Sequence, residues 1–444
     1  MFVEKELFVI QDGDNFILHA PTKLIAVAVT SGVVHDLQSC EVSGEYPEGL
    51  VRDALLETGI LSENPVLLEL PNTPEAFIPT SVTLFPTSDC GLRCVYCYAS
   101  AGMTAKVMEF SVAKAAVDLI IKNALMLSKK TVSVSFHGGG EPLYGESGSL
   151  VRDIVTYAKD AASSRGIKVS FSCATNGVLS VDQLVWARDN INRLNLSVDG
   201  PPEIQDAQRP LKTGDKSSVH VERTLAFLEE NEMNYGIRAT ITESSVGRLT
   251  EIVEYLHRVA PSVNVHLEPL FSCGRCSTTG IGAPDPSVFV DAFLSARVYA
   301  KTLGVELYNS GATVDRFDEH FCGATSGNFC VTPWGDVTSC YEVSLPSDDR
   351  APLFFFGAYD QGSQAFSFDE RRLIRLRERR VSNIPTCGDC FMKYACAGDC
   401  PAKSATMTGS LNGGFRCVEN RTLGANDIVK RIQQGKEVII NAGK

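Results

Sequence analysis

No apolar run in the sequence approaches the roughly eighteen residues that a membrane-spanning helix needs. The longest candidate, Leu24 to Val34, is broken by Thr30, Ser31 and Gly32, so no membrane partner is expected. Met1 to Glu6 lack a basic stretch followed by an apolar one, so secretion is not expected and a cytoplasmic location is. Basic residues are in deficit: 41 Lys and Arg stand against 53 Asp and Glu, a net charge of -12. That removes the positive surface on which binding to a nucleic-acid backbone rests, and no nucleic-acid partner is expected.

What remains is a globular composition, 44% hydrophobic and 21% charged. A chain of 444 residues exceeds one ordinary core and implies roughly two to three domains. Cysteine is abundant, with fifteen residues, ten of them between Cys273 and Cys417. Without a secretory signal, such cysteines imply metal or redox chemistry in a reducing compartment rather than a disulfide framework.

The most pointed stretch is Cys90-x-x-x-Cys94-x-x-Cys97, directly after an apolar run from Val82 to Phe85. Three thiolates at this spacing suit a short loop around a metal cluster. A structural zinc site is normally closed by a fourth ligand, and none is near. A [4Fe-4S] cluster usually takes four cysteines, so three leave one iron open to an external ligand.

From Ser81 to Pro269 the pattern alternates strand and helix. Strand-like runs occur at Val82 to Phe85, Val132 to Phe136, Val169 to Cys173, Leu194 to Val198, Ile237 to Ile241 and Val263 to Leu267. A helical face, Ala113, Ala116, Val117, Ile120, Ile121 and Ala124, follows the first, with Ser111 as its expected N-cap. Six such units predict an α/β fold with a parallel sheet, closed or nearly so, and chemistry at the C-terminal strand ends. Polar, glycine-rich segments stand at those ends. His137-Gly138-Gly139-Gly140-Glu141-Pro142 lets backbone approach a ligand closely, and Glu141 suits an ammonium group. Thr175-Asn176-Gly177 and Ser197-Val198-Asp199-Gly200 offer hydrogen bonds to a ribose and a carboxylate. Arg238, Thr240 and Glu268 are further lining candidates on the fifth and sixth strands.

At these residues the sequence resembles the radical S-adenosylmethionine (SAM) enzymes. The resemblance rests on the three cysteines with Tyr96 before the last, on Gly139-Gly140-Glu141-Pro142, and on the strand-end residues Asn176, Ser197 and Asp199. It implies a partial (β/α)6 TIM-like barrel over residues 81–310 and SAM on the open iron. It also implies SAM contacts from Tyr96, Gly139, Gly140, Glu141, Asn176, Ser197, Asp199 and Arg209. Gln205 stands where related enzymes carry His.

Residues 311–444 resemble the SPASM auxiliary-cluster domain. The family pattern assigns Cys387, Cys390, Cys396 and Cys417 to a distal cluster, and Cys322, Cys340 and Cys400 to a proximal one. The eighth cysteine is absent, which leaves an open iron or a fourth ligand from Cys273, Cys276 or Cys330; Cys330 also suits an apolar core. The pair Cys273-x-x-Cys276 also reads as a redox pair or as two reduced thiols in a loop. A zinc domain is the alternative for the whole C-terminal region.

Residues 1–80 hold an expected hairpin, Leu7 to Ile10 and Phe16 to His19 across an Asp12-Gly13 turn. An apolar run from Leu24 to Val29 follows, then a helix from Pro47 to Thr58 capped by Gly59, and a Pro-rich linker over Leu70 to Thr80. This order resembles the winged-helix-like peptide-recognition (RRE-like) domain that precedes many peptide-modifying radical SAM enzymes.

Together the resemblances imply three [4Fe-4S] clusters, a precursor peptide with a leader sequence, and an external one-electron reductant of the flavodoxin or ferredoxin type. The activity implied is hydrogen abstraction from that peptide by the 5'-deoxyadenosyl radical, installing a thioether or other side-chain cross-link. Two alternatives stand beside it. One is an anaerobic sulfatase maturase-like oxidation of Cys or Ser to formylglycine in a protein partner. The other is a non-catalytic iron-sulfur or zinc protein, which leaves Gly139 to Pro142 and Ser197 to Gly200 without a purpose.

Overall fold

The computed structural model describes residues 2–3, 6–43, 49–62 and 76–434. By compactness the chain falls into two units. One comprises Met1–Thr73, Gly311–Phe321 and Arg379–Lys444; the other comprises Pro74–Ser310 and Cys322–Glu378. Residues 311–444 therefore contribute to both. Among the described residues, no helix is long and apolar enough to cross a membrane.

The first unit begins with β1 (Phe2–Val3), β2 (Phe8–Asp12), β3 (Asn15–Ala20), β4 (Ile25–Val29), α1 (Ser31–Ser43), α2 (Gly49–Glu57) and β5 (Leu61–Ser62). Strands β2, β3 and β4 form an antiparallel meander, and β1 pairs with β5. The hairpin turns at Gly13, whose φ of +59° is the left-handed conformation that the Asp-Gly signal anticipates. Alternation buries both faces of the meander. Leu18, Val27 and Val29 pack with Val33, Leu55 and Ile60, while Ile10, Ile17 and Ala26 pack with Met392, Ile428 and Ile432. Helix α2 matches the expected helix, and Gly59 ends it at φ +75°. Pro47 and residues 70–75 of the expected linker lie outside the described residues. Helix α1 has no counterpart among the expected elements, where the apolar run from Leu24 to Val29 is followed by the helix from Pro47 to Thr58.

The second unit contains β6 (Ser81–Leu84), α3 (Phe110–Met126), β7 (Thr131–Phe136), α4 (Glu146–Ser163), β8 (Lys168–Thr175), α5 (Val181–Asn190) and β9 (Arg193–Ser197). It continues with α6 (Pro202–Gln208), α7 (Ser218–Glu230), β10 (Tyr235–Ile241), α8 (Leu249–Val259), β11 (Val265–Pro269), α9 (Cys276–Thr279), α10 (Pro286–Thr302) and β12 (Leu307–Tyr308). Each of the six expected strands is present, β6 to β12 are parallel, and they stand in sequence order across the sheet. Alternation sends Val82, Leu84, Val134, Phe136, Phe171 and Leu196 to one buried face.

Helix α3 starts two residues earlier than expected. Its N-cap is Glu109, without a side-chain cap bond, so Ser111 lies inside the helix. The entry is set by tertiary pairing, since Met108 N–H donates to Pro86 O at 2.8 Å and Thr87 bridges Val107.

On the other side of β6 the sheet gains β13 (Cys330–Val331), parallel through Cys330↔Thr83, then antiparallel β14 (Asp336–Thr338), β15 (Phe355–Asp360) and β16 (Ala365–Phe368). The result is an eleven-stranded sheet with two ends, β12 and β16, rather than a closed barrel. Short helices α11 (Ala351–Phe354) and α12 (Glu370–Arg377) flank its last strands. The chain then returns to the first unit with α13 (Pro401–Thr408) and α14 (Cys417–Gln433).

Candidate active site

The loop after β6 carries Cys90, Cys94 and Cys97, and it is held from several sides. Leu92 is buried and bridges Leu211. The Arg93 and Val95 N–H groups donate to Pro210 O and Gln208 O at 2.8 and 2.9 Å. The Arg93 side chain returns to the carbonyls of Cys90 and Leu92, both at 2.8 Å. From the segment beyond β11, Arg275 donates to Cys94 O at 2.8 Å and Ala101 O at 2.7 Å, and its own N–H to Cys97 O at 3.0 Å. Gly274, at φ +55°, lies so close to the carbonyls of Cys97 and Tyr98 that a Cβ there would collide with both. The Gly274-Arg275 segment is thus a clamp on the cysteine loop.

Every sulfur of the triad faces a donor. Leu92 N–H and Asn176 Nδ2 approach Cys90 Sγ at 3.4 and 3.6 Å, Arg209 Nη1 approaches Cys94 Sγ at 4.0 Å, and Ala101 N–H approaches Cys97 Sγ at 3.5 Å. Donors of this kind stabilise thiolates. Burial opposes them, pushing the Cys90 thiol up to about 12 and the Cys94 thiol to about 11; Glu141 adds to the first shift, and Arg209 moderates the second. Thiols so placed ionise when a metal takes the proton's place.

Among the described residues, no three Cys, His, Asp or Glu side chains converge as ligands of a single metal ion would. A cluster with one thiolate on each of several irons asks instead for sulfurs set around a body. The donor set and the bare glycine backbone beside it fit such a group.

That backbone follows β7. A Cβ at Gly140 would collide with Asp89 O, and one at Gly138 with Gly140 O; Glu141 N–H donates to the same Asp89 carbonyl at 2.8 Å. Glycine is required here because this turn packs backbone to backbone against the residue preceding Cys90. Glu141 turns inward. Its carboxylate accepts from Asn176 N–H at 2.7 Å and Thr175 Oγ1 at 2.9 Å, and burial pushes it up to about 7. Tyr98 donates to Gly138 O at 3.1 Å.

Asp199 is also internal, with 0% exposure. It accepts from Tyr96 Oη, from Gln208 Nε2 at 2.7 Å and from Thr240 N–H at 3.0 Å, and pairs with Arg209 Nε at 3.0 Å. The Arg209 guanidinium lies over the Tyr96 ring at 5.2 Å from its centre. Tyr96, Asp199 and Arg209 are therefore one buried network that positions Arg209 toward Cys94. Ser197 ends β9 and is half-buried. Asp206 accepts from Ser218 N–H and Oγ at 2.8 and 2.9 Å, fastening α7. Arg93 and Gln208 were not singled out by sequence, because neither belongs to a recognisable spacing, whereas Thr175 stands in the strand-end motif with Asn176 and Gly177.

The remaining cysteines divide between the units. Cys387, Cys390, Cys396, Cys400 and Cys417 belong to the first. Cys387 feels the charge of Cys390 and Cys417, Cys390 that of Cys417, and Cys396 that of Cys387. Asn420 Nδ2 donates to Cys396 Sγ at 3.2 Å. The loop into Cys400 takes three successive left-handed residues, Ala397, Gly398 and Asp399 at φ +49°, +75° and +60°. Arg379, itself buried, donates to Ala397 O at 3.1 Å and Asp399 O at 2.8 Å, and Asp399 pairs with Arg416 at 2.7 Å.

Cys322, Cys340, Cys330, Cys273 and Cys276 belong to the second unit. Cys330 is fully buried on β13, its thiol pushed up by burial and by the charge of Cys322. Cys276 is buried with Tyr96 and Leu270.

Residues 84–262 match the radical SAM superfamily model. Over 183 residues the chain is 27% identical to the cysteine-type anaerobic sulfatase-maturating enzyme of Clostridium perfringens, covering 40% of this chain and 48% of that protein. The chain spans about half the length of the curated relatives it matches. The fold is shared with solved structures. Native anSMEcpe with bound AdoMet and Cp18Cys peptide aligns over 80% of this chain and 99% of that one, with a TM-score of 0.62 and 16% identity. Streptococcus suis SuiB bound to precursor peptide SuiA aligns over 94% and 99%, with a TM-score of 0.55 and 13% identity.

Proposed function

From a chain that carries a radical SAM domain over residues 84–262, we propose an enzyme that cleaves SAM reductively and abstracts hydrogen from a ribosomally made precursor peptide. The observation that carries this reading is the convergence of the loop after β6, the β8 end and the segment after β9 on the sulfurs of Cys90, Cys94 and Cys97, each of which faces a donor. Cys90, Cys94 and Cys97 would hold a [4Fe-4S] cluster whose open iron would take SAM, and that group would supply the one-electron reductive cleavage of the sulfonium.

The chain's own residues bind and orient. Gly139 and Gly140 leave backbone groups bare beside the cysteine loop. Asn176, Ser197 and Arg209 offer donors at successive strand ends. Glu141 and Asp199 brace them from inside, with Tyr96 supporting Arg209.

By the same reading Cys387, Cys390, Cys396 and Cys417 hold a distal auxiliary cluster, a grouping supported by the mutual charge effects of the four thiols. Cys322, Cys340 and Cys400 hold a proximal one. Residues 1–80 recognise a leader sequence, an external one-electron carrier supplies reduction, and the product is a thioether or other cross-link. The peptide named with SuiB supports a peptide substrate here.

The sulfatase-maturing relative favours a second reading, oxidation of Cys or Ser in a protein partner to formylglycine. Mass spectrometry of the product separates a cross-link from formylglycine.

Anaerobic, reduced enzyme with SAM is expected to form 5'-deoxyadenosine; none above background, with all clusters loaded, would overturn the proposal. The Cys90→Ala/Cys94→Ala/Cys97→Ala variant is expected to lose about four irons and to keep the remaining ones.

A further inference from the structure

The parallel sheet has one apolar and one polar face. Side chains alternate along a strand, so Ser135, Ser172, Asn195, Ser197, Arg238 and His266 stand opposite the buried apolar set. Register confirms the grouping: Ser135 pairs with Ser172, and Ser197, Arg238 and His266 are neighbours across β9, β10 and β11. An ordinary eight-stranded barrel fills this face with bulky branched residues. Here it carries small polar side chains together with the long cations Lys168, Arg193 and Arg238, of which Arg238 lies beside Ser197.

Arg238 sits in the middle of β10, which is paired along both edges, yet its side chain is 57% exposed. A central strand with one buried face exposes a residue to this extent only where the opposite face is open. Its nearest carboxylate, Glu268, lies 3.8 Å away. The facing oxygen, Oε1, is already bonded to His266 Nε2 at 2.8 Å, Ser310 N–H at 2.7 Å and Ser310 Oγ. The Arg238 guanidinium makes no hydrogen bond to any of the described residues, its contact with Glu268 at 3.8 Å being longer than one.

The charge of Arg238 is felt at the end of the sheet where the glycine turn lies. Its charge helps to keep His137 neutral, and it acts on Tyr98, the residue that holds the Gly138 carbonyl. A guanidinium with an open fork matches a carboxylate bidentately, which an ammonium does not.

We propose that Arg238 anchors a carboxylate of the substrate, either an Asp or Glu side chain or a C-terminal carboxylate, so that the site selects an acidic peptide segment. The inference rests on the peptide-modifying reading above and names its substrate class.

The test measures binding of three acetylated pentapeptides, by NMR titration, to cluster-loaded enzyme with SAM. One carries a central Asp and an amidated C-terminus, one a central Asn and an amidated C-terminus, and one a central Asn and a free C-terminus. Wild type is expected to bind one carboxylate peptide about tenfold more tightly than the Asn amide, and the identity of that peptide tells side chain from terminus. Arg238→Gln is expected to abolish the preference and Arg238→Lys to keep part of it. Absence of preference in wild type, or its survival in an iron-loaded Arg238→Gln variant, would overturn the proposal.

If neither variant loads iron, phenylglyoxal labelling of wild type decides. Protection of Arg238 by the preferred peptide supports the anchor, and labelling unaffected by it refutes the anchor. Formation of 5'-deoxyadenosine by wild type is scored separately, so a failed SAM reaction and a failed carboxylate preference are distinguishable.

Discussion

Asn176 joins two strand ends through one residue: its backbone N–H binds the Glu141 carboxylate at 2.7 Å while its side-chain amide reaches the sulfur of Cys90 at 3.6 Å. The first bond fixes the turn, and the second aims a donor at a thiolate. This relationship makes Asn176→Ala informative. The variant loses a bond to a charged acceptor, a loss worth about 1.5–3 kcal/mol, and exposes the Val178 N–H that Asn176 Oδ1 now accepts at 2.8 Å. Iron bound at this site is expected to become more labile, with 5'-deoxyadenosine formation reduced roughly tenfold or more. Full retention of both would refute the assignment.

Arg275 should act on the cysteine loop without touching sulfur. Arg275→Ala leaves the carbonyls of Cys94 and Ala101 without their guanidinium donor, at a cost of about 1–3 kcal/mol for each group left unsatisfied. Iron release to a chelator is expected to quicken, with Arg275→Lys intermediate. Release at the wild-type rate would mean that the loop is held by its other contacts alone.

In the first unit, Arg416 and Asp399 are a buried ion pair, with side chains 2% and 1% exposed. Arg416→Met leaves a buried carboxylate uncompensated and should cost about 3–5 kcal/mol in chemical denaturation. Asp399→Asn/Arg416→Met removes the stranded charge while keeping the side-chain acceptor for Cys400 N–H. The double variant is expected to recover much of the loss; equal instability of both variants would show that packing, not charge, dominates.

Stability should fall in mild acid partly through His19. Burial, and secondarily the charge of Arg431, lower it from 6.5 to about 4, against the hydrogen bond that its Nδ1 donates to the Ile25 carbonyl. Between these values the unfolded chain takes up a proton that the folded chain refuses, so this contribution is present above pH 6.5 and is lost as pH falls toward 4. At pH 5 the loss is about 2 kcal/mol. His19→Gln is expected to show a correspondingly smaller drop in Tm from pH 7.5 to pH 5. His137, also lowered to about 4 by burial, is present in both proteins and cancels in the comparison. An identical drop in both would place the acid sensitivity elsewhere.

The six parallel strands, the hairpin at Gly13 and the C-terminal stop at Gly59 were determined by the sequence itself. Alternation and helical spacing record which face each segment buries, and glycine marks where φ turns positive. The cysteine spacing likewise needed no fold, since three ligands on one loop are already near one another. Tertiary structure decided what such local signals do not encode, namely which distant group meets which. The glycines of the turn after β7 also avoid collisions that only the fold creates, Gly138 with its own turn, Gly140 with Asp89 and Gly139 with the Ser344 side chain. Glu141 and Asp199 also serve as internal acceptors for Asn176, Tyr96 and Arg209, pairings that no local pattern marks. The clamp from Arg275 reaches Cys94 across a sequence separation of 181, and β13 joins β6 from beyond the parallel strands. Periodicity registers burial and not the identity of the buried partner, so the donors around Cys90, Cys94 and Cys97 became visible only once the strand ends were brought together.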